Sequence, residues 1–354
     1  MNTSAFVTEI PTQWVGPMRI TGNVVNEEVS VPLATYETPL WPSVGRGASI
    51  SRMLDDGIRV TVVDERMTRS TLFIARDAAH AAECAAVIHA RFDELTRVVA
   101  AQSRFAQLIE IHDEIVGNLL FTRFAFRTGD ASGHNMATAS AEALMNTILS
   151  WNLGLEYGTI SGNLCTDKKP TAVNGILGRG KNVVADIFLP HEIVAKRLRT
   201  SAAEITALST RKNLVGSTLA GAIRSANAHF ANMLLGIYLA TGQDAANIVE
   251  GSQGITYAEA REDGLYFSTS LPNLIVGTVG NGKHLAHVQD NLRQIGCLED
   301  REPGENARRL AALTAATVLC GELSLLAAQA NPGELMATHV AMERRSTNQE
   351  EQGA

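Results

Sequence analysis

Two adjacent lysines, Lys168 and Lys169, stand between Asp167 and Pro170, behind the turn Ser161-Gly162-Asn163. Gly162 and Pro170 punctuate both ends, so residues 161–170 are expected to form a shaped loop rather than a helix. An ammonium withdrawn from water is a strong oxyanion stabiliser, and a second one can hold a substrate carboxylate. A lysine pair beside an acid is also what an ordinary solvated loop contains. The apolar, glycine-rich segments on both sides favour a loop folded against a core.

Other residues invite chemistry from further away. Glu37 lies among prolines and apolar residues (Pro32, Pro39, Pro42), where burial would disfavour its charged form, although a surface-loop Glu is the plainer reading. Asn227, His229 and Asn232 share one face if the long apolar region 213–242 is a helix, and such buried polar groups need partners. Asp244, between Gln243 and Ala245, reads as a helix N-cap or loop acid. His339 precedes a polar tail; on a terminal segment it could close over a site and deliver a proton near neutral pH. The stretch Gly277-Thr278-Val279-Gly280-Asn281-Gly282-Lys283-His284 nearly fits a P-loop, but His284 cannot replace the hydroxyl that ligates Mg²⁺. An NTPase is therefore set aside.

Elements must hold these groups in place. Ile58–Val63 alternates like a strand. Thr71–Ala75 reads as another, and Asp77 as the N-cap of a helix to about Ala101. Arg104–His112 and Gly117–Phe126 alternate like a hairpin, Asn135–Asn152 is helical, and Leu155–Ile160 is a short strand. The order βαββαβ is the ferredoxin-like unit. Further on, Asn182–Leu189 is strand-like. With 354 residues the chain has room for two domains.

Composition narrows the classes. A hydrophobic fraction of 45% and a mean hydropathy of +0.02 describe a soluble globular protein. A net charge of −7 argues against a nucleic-acid binder, whose phosphate contacts need a basic surface. Cys84, Cys165, Cys297 and Cys320 are far apart, without a CxxC pair, so neither a disulfide framework nor a metal site is expected. The start MNTSAFVTEIPTQW has no basic region followed by an apolar run, so no signal peptide is expected. The region 213–242 is too polar for a free membrane span. Those readings point to a reducing cytoplasm.

The segment Ser161–Pro170 resembles the active-site loop of the 3-hydroxy-3-methylglutaryl-coenzyme A (HMG-CoA) reductases, particularly the class I form of eukaryotes and many archaea. The resemblance extends in order over roughly residues 15–345. Pro-Leu-Ala-Thr-Tyr-Glu ends on Glu37 where the family has its catalytic Glu, although Thr38-Pro39-Leu40-Trp41-Pro42 departs from the family's following Gly. Met67-Thr68-Arg69 implies that Arg69 binds the substrate carboxylate, which a guanidinium fork suits. Ser103-Arg104-Phe105 is similar to the family segment that meets the adenosine 2′-phosphate, which would favour NADPH, with NADH as a possible second cofactor.

In Thr128–Met136 the family pattern Asp-Ala-Met-Gly-Met-Asn-Met becomes Asp-Ala-Ser-Gly-His-Asn-Met. Asp130, Gly133, His134 and Asn135 would touch the nicotinamide cofactor there, with Ser132 and His134 in place of two methionines. By themselves, small residues and free N–H groups at a helix start can accommodate a pyrophosphate. Gly242-Gln243-Asp244-Ala245 matches the segment whose Asp bonds the catalytic Lys. Ser161, Asn163 and Asn232 match positions near the substrate, and Lys169 one that pairs with its carboxylate.

The resemblance thus implies an α+β protein. A large helical substrate domain (1–69 and 161–334) would carry an inserted ferredoxin-like cofactor domain (70–160) and a C-terminal flap (335–354). It implies a reductase converting HMG-CoA to mevalonate with two hydrides, Glu37, Lys168, Asp244 and His339 being catalytic. A homodimer or homotetramer with sites at subunit interfaces is implied as well. Two alternatives stay open: NAD-dependent oxidation of mevalonate, and a non-catalytic acyl-CoA or mevalonate binding protein.

Overall fold

The computed structural model describes residues 8–334 and Met336. One strand organises them. β3 (Ile58–Ile74) is 17 residues long and belongs to two sheets. Its first half pairs antiparallel with β7 (Gly180–Pro190), Arg59 opposite Asp186 and Arg66 opposite Gly180. Its second half pairs antiparallel with β5 (Leu119–Arg127), Met67 opposite Phe126 and Ile74 opposite Leu119.

The first sheet runs β2 (Glu27–Ala34), β1 (Thr12–Gly22), β3, β7, β9 (Gly264–Leu274), β8 (Ile255–Arg261). It covers the helix Glu305–Ala330, whose residues are almost all buried. An Ala-rich sequence is what lets a helix be buried on every side. Gly47, on α1 (Leu40–Ser51), meets that helix so closely that a Cβ there would lie 2.5 Å from Cys320 Cα. Among the described residues this is the one helix long and apolar enough to cross a membrane, and 94% of its most apolar stretch is buried in the protein. The expectation of a mainly helical large domain is corrected: a six-stranded sheet forms its frame.

The second sheet has the order β6 (Glu156–Thr159), β3, β5, β4 (Gln107–Val116), with every pair antiparallel. This is the strand order of a βαββαβ unit, with α2 (Ala78–Ala90) and α3 (Phe92–Gln102) between β3 and β4, and α4 (His134–Ser150) between β5 and β6. A separate apolar cluster, including Phe73, Ile88, Phe124 and Leu144, fills the space beneath these helices.

Three expectations on elements are corrected. The helix after Asp77 is two helices, because Arg91 leaves helical geometry at φ −102°, ψ 25° and sets its guanidinium over Trp151. The hairpin begins at Gln107, not Arg104, because Ser103 Oγ accepts the N–H groups of Phe105 and Ala106 and turns the chain. The region 213–242 is not one helix. Apart from the short turn Ser217–Leu219, Phe230–Ala240 is its α-helix, so Asn227 and His229 precede that helix and share no helical face with Asn232. Carboxylate oxygens explain the break: Glu322, buried in the core helix, accepts the N–H groups of Ala228 and His229, which an α-helix would have used internally.

Candidate active site

The loop 161–170 leaves β6 and is fastened at its start by Gly162 N–H donating to Ser70 O of β3. Three non-glycine residues in it take the left-handed conformation: Asn163 (φ 61°), Thr166 (φ 48°) and Lys168 (φ 56°). Each costs roughly 1–3 kcal/mol and persists only where surroundings over-determine it. Side chains supply that determination. Asn174 Nδ2 donates to Thr166 O at 3.0 Å, and the Thr171 hydroxyl donates to Thr166 Oγ1 at 2.9 Å. Arg179, 1% exposed in its side chain, donates to Asp167 Oδ1 at 3.0 Å.

At the tip of this loop Lys168 Nζ lies 2.8 Å from Asp244 Oδ2. Asp244 is held in turn, since its Oδ1 accepts the Ala246 N–H and caps the short helix that follows. The hydrogen bond to Asp244 holds the Lys168 ammonium above its ordinary pKa. Partial burial pushes the Asp244 carboxyl up, but the bonds from Lys168 and the Ala246 N–H outweigh it and leave the pKa below the usual range. Both groups are charged at neutral pH. The pair is open, with side chains 41% and 47% exposed, so the desolvation expected for Lys168 is not supplied by this chain's described residues. In water such a pair adds little stability.

Beside it, Asp167 is surrounded by cations. Burial raises its carboxyl, yet His134, Arg179 and Lys168 together hold it well below the ordinary carboxylate range. His134 opens α4, with Nε2 3.4 Å from Asp167 Oδ1 and Nδ1 3.4 Å from Ser132 Oγ. The histidine standing where the resemblance has methionine therefore joins α4 to the lysine loop. Gly133 before it needs its left-handed φ of 94°, and a Cβ there would strike the Thr128 side chain at 2.6 Å.

Arg69 donates to Ser161 Oγ at 3.3 Å and to Thr138 Oγ1 of α4 at 2.5 Å. Its Nε is buried without a hydrogen-bond partner among the described residues, as for a guanidinium still owed an acceptor. Lys169 Nζ turns back to Asp167 O at 3.0 Å. Asn232 Nδ2 is 3.3 Å from His229 Nδ1, and His229 Nε2 is 3.0 Å from Gly321 O. The second contact makes Nε2 the donor and Nδ1 the acceptor, so both ring nitrogens of the half-buried His229 are satisfied.

Glu37 takes the plainer of its two readings, that of a surface-loop acid. Its side chain is exposed rather than buried among the prolines, and it makes no side-chain hydrogen bond among the described residues. Its N–H is held by Thr35 Oγ1, while Leu40 and Trp41 behind it carry α1 into the core. The three-membered network of Glu37, Lys168 and Asp244 is thus reduced to a pair within one chain. His339 and the flap 335–354 lie outside the described residues, apart from Met336.

Arg104 and Phe105 line a cleft of about 560 Å³ together with Arg127, Gly129 and Arg308. Asp64 and Glu65 line it too, and Glu65 pairs with Arg308 at 3.3 Å, which leaves Arg104 and Arg127 to meet an anionic ligand. Ser103 Oγ accepts two N–H groups and still has its own proton to donate. Asp130 has a structural duty in this chain: its two oxygens accept the N–H groups of Gly304 and Ala307, so this acid caps the core helix Glu305–Ala330. Gly133, His134 and Asn135 lie at the start of α4 and do not line the cleft. The Gly277–Gly280 turn is structural, bridging Val279 to Ala131. Missed entirely were Arg179 and Glu250, since a buried ion pair 71 residues apart leaves no local pattern.

The profile of the hydroxymethylglutaryl-coenzyme A reductases matches residues 6–344. A 3-hydroxy-3-methylglutaryl-coenzyme A reductase of Pyrococcus abyssi is 44% identical over 325 residues, 91% of this chain and 79% of that one. Reductase 1 of Hevea brasiliensis is 40% identical over 344 residues, 96% of this chain and 59% of the longer plant protein. The class II reductase of Streptococcus pneumoniae, solved with NADPH in open conformations, superposes with a TM-score of 0.72 at 18% identity. That match covers 94% of this chain and 88% of the other, and it shows a shared mixed α/β fold. The chain belongs to the hydroxymethylglutaryl-coenzyme A reductase family.

Proposed function

We propose that this protein reduces (S)-HMG-CoA to mevalonate and free coenzyme A, using two hydrides from NADPH. The observation that carries the reading is the 2.8 Å contact between Lys168 Nζ and Asp244 Oδ2 in a loop held against α4. Bound NADPH supplies the hydrides. The residues fit it: Arg104 and Arg127 in the cleft suit phosphates, and the start of α4 offers N–H groups 133–135, unpartnered among the described residues, to the other end.

Lys168, charged and aimed by Asp244, stabilises the oxyanion that develops on the thioester carbonyl and again on the aldehyde. Arg69, with Ser161 beside it, and Lys169 take the free carboxylate of the substrate; Asn163 and Asn232 complete that side. Glu37 gives a proton to the aldehyde oxygen, and His339 protonates the departing thiolate. The exposure of Glu37, Lys168 and Asp244 in one chain supports a homodimer or homotetramer in which a second subunit covers them and Glu37 reaches the Lys168–Asp244 pair across the interface. Water would otherwise screen the lysine.

The finer assignments follow the same reading. The loop sequence and the archaeal and plant relatives support class I. The two apolar clusters support a large domain (1–69, 161–334) and a cofactor domain (70–160) that share β3. Four free, buried cysteines suit a reducing cytoplasm. The test is NADPH oxidation with HMG-CoA, run beside NADH and beside Lys168→Ala, with mevalonate identified as product. Absence of oxidation with either cofactor in folded, thioester-binding protein sinks the reading.

A further inference from the structure

Lys168 is gripped twice by one short stretch of chain. Its ammonium meets Asp244, and its backbone N–H donates to Oε1 of Glu250, six residues further on, at 3.1 Å. Between them, Ala245–Asn247 is a single 3₁₀ turn running into the helix Ile248–Gly251, so the spacing of the two carboxylates is set by continuous helical backbone. Glu250 Oε1 also accepts Arg179 NH1 at 2.7 Å and Asn247 Nδ2 at 3.0 Å, and Arg179 carries its other nitrogen to Asp167. The side chains of Arg179 and Glu250 are 1% and 0% exposed.

We propose that Glu250 is a positioning residue for the reduction, acting with Arg179 to hold the left-handed turn at Lys168 so that its ammonium stays at the reacting carbonyl. The idea rests on the function proposed above. Three observations lead to it. A φ of 56° at a lysine reverts unless anchored, and among the described residues the anchor on the Lys168 N–H is Glu250. A buried carboxylate is an expensive anchor: Glu250 Oε2 is buried with no hydrogen-bond partner among the described residues. An apolar replacement of similar volume would commonly serve stability as well or better, so stability alone gives no reason for this pair. Finally, the bonds converge on residues 167 and 168, at the chemistry, and not on the frame of the fold.

Glu250→Gln keeps shape and an acceptor but removes the charge that strengthens it. Glu250→Ala removes the anchor. For the purified oligomer we expect kcat to fall about 3–10-fold in E250Q and about 100-fold or more in E250A, the scale of a weakened and a lost charged hydrogen bond. KM for HMG-CoA and Kd for NADPH (by fluorescence titration, without turnover) should stay within about threefold, the sign of a lost transition-state contact. Deuterium uptake of the 161–170 peptide should rise in both variants, graded Ala above Gln, while peptides of the core helix are unchanged.

An E250A enzyme with kcat within twofold of wild type overturns the proposal. So does a variant that loses melting temperature while each folded molecule turns over normally. Should E250A fail to fold, E250Q decides: unchanged kcat with unchanged loop exchange overturns it. A wild-type enzyme that does not oxidise NADPH with HMG-CoA sinks the functional reading instead, and loop exchange then still tests the clamp.

Discussion

Lys168 and Asp244 meet at 2.8 Å although they lie 76 positions apart in the chain, and the lysine reaches the acid from a backbone conformation that few lysines adopt. A charged, oriented ammonium at the end of a stiff loop is what oxyanion stabilisation needs. Lys168→Ala should therefore lower kcat by about 10³-fold or more, with the melting temperature changed little because the pair is solvent-exposed. A folded Ala variant with near-normal kcat would remove Lys168 from the mechanism. Asp244→Asn should lose less, since the amide still accepts a hydrogen bond.

Acid stability should depend on Asp167. Its carboxyl titrates well below the ordinary range in the folded protein, with Arg179 and His134 around it. The unfolded chain therefore takes up a proton first, near pH 4, while the folded chain does not. The stabilisation is complete above that pH and is lost as pH falls toward the folded value. Asp167→Asn should flatten this limb in melts between about pH 5 and pH 2 and leave the slope at neutral pH unchanged. Parallel limbs in the two proteins would show that the site contributes nothing to acid sensitivity.

Cofactor choice should follow the arginine cleft. Arg104→Ala is expected to raise KM for NADPH about 10–100-fold, the effect of removing one charged hydrogen bond to a phosphate, and to leave NADH kinetics nearly as they are. An equal change for both cofactors would mean that Arg104 does not read the 2′-phosphate.

The contact between α1 and the core helix predicts a clean stability effect. A methyl group at residue 47 would lie 2.5–2.6 Å from the Cys320 backbone and Cβ, with no flexible side chain to move aside. Gly47→Ala should cost about 1–3 kcal/mol by chemical denaturation, as overpacking usually does. Ala at the more open Gly45, where a Cβ would meet only Val15 Cγ1 at 3.9 Å among the described residues, should cost less than 1 kcal/mol or stabilise by about that amount.

Local chemistry was legible from residue order alone. Gly162 and Pro170 bracket a loop, Asp77 caps α2 through its contact with the His80 N–H, and alternation marks β4, β5 and β7. The order of those elements already implies the antiparallel sheet β6-β3-β5-β4, because each follows from short-range periodicity and chain connectivity. Tertiary structure alone decided the rest. That β3 serves two sheets, that the stretch before Phe230 unwinds to give its N–H groups to Glu322, and that Asp130 caps a helix begun at residue 305 all depend on partners far away in sequence. The same holds for the site. Sequence names Lys168 and Asp244, but their contact, the exposure of Glu37, and the Arg179–Glu250 clamp are consequences of three-dimensional packing. Buried charges choose partners by distance and desolvation, and neither quantity is written in residue order.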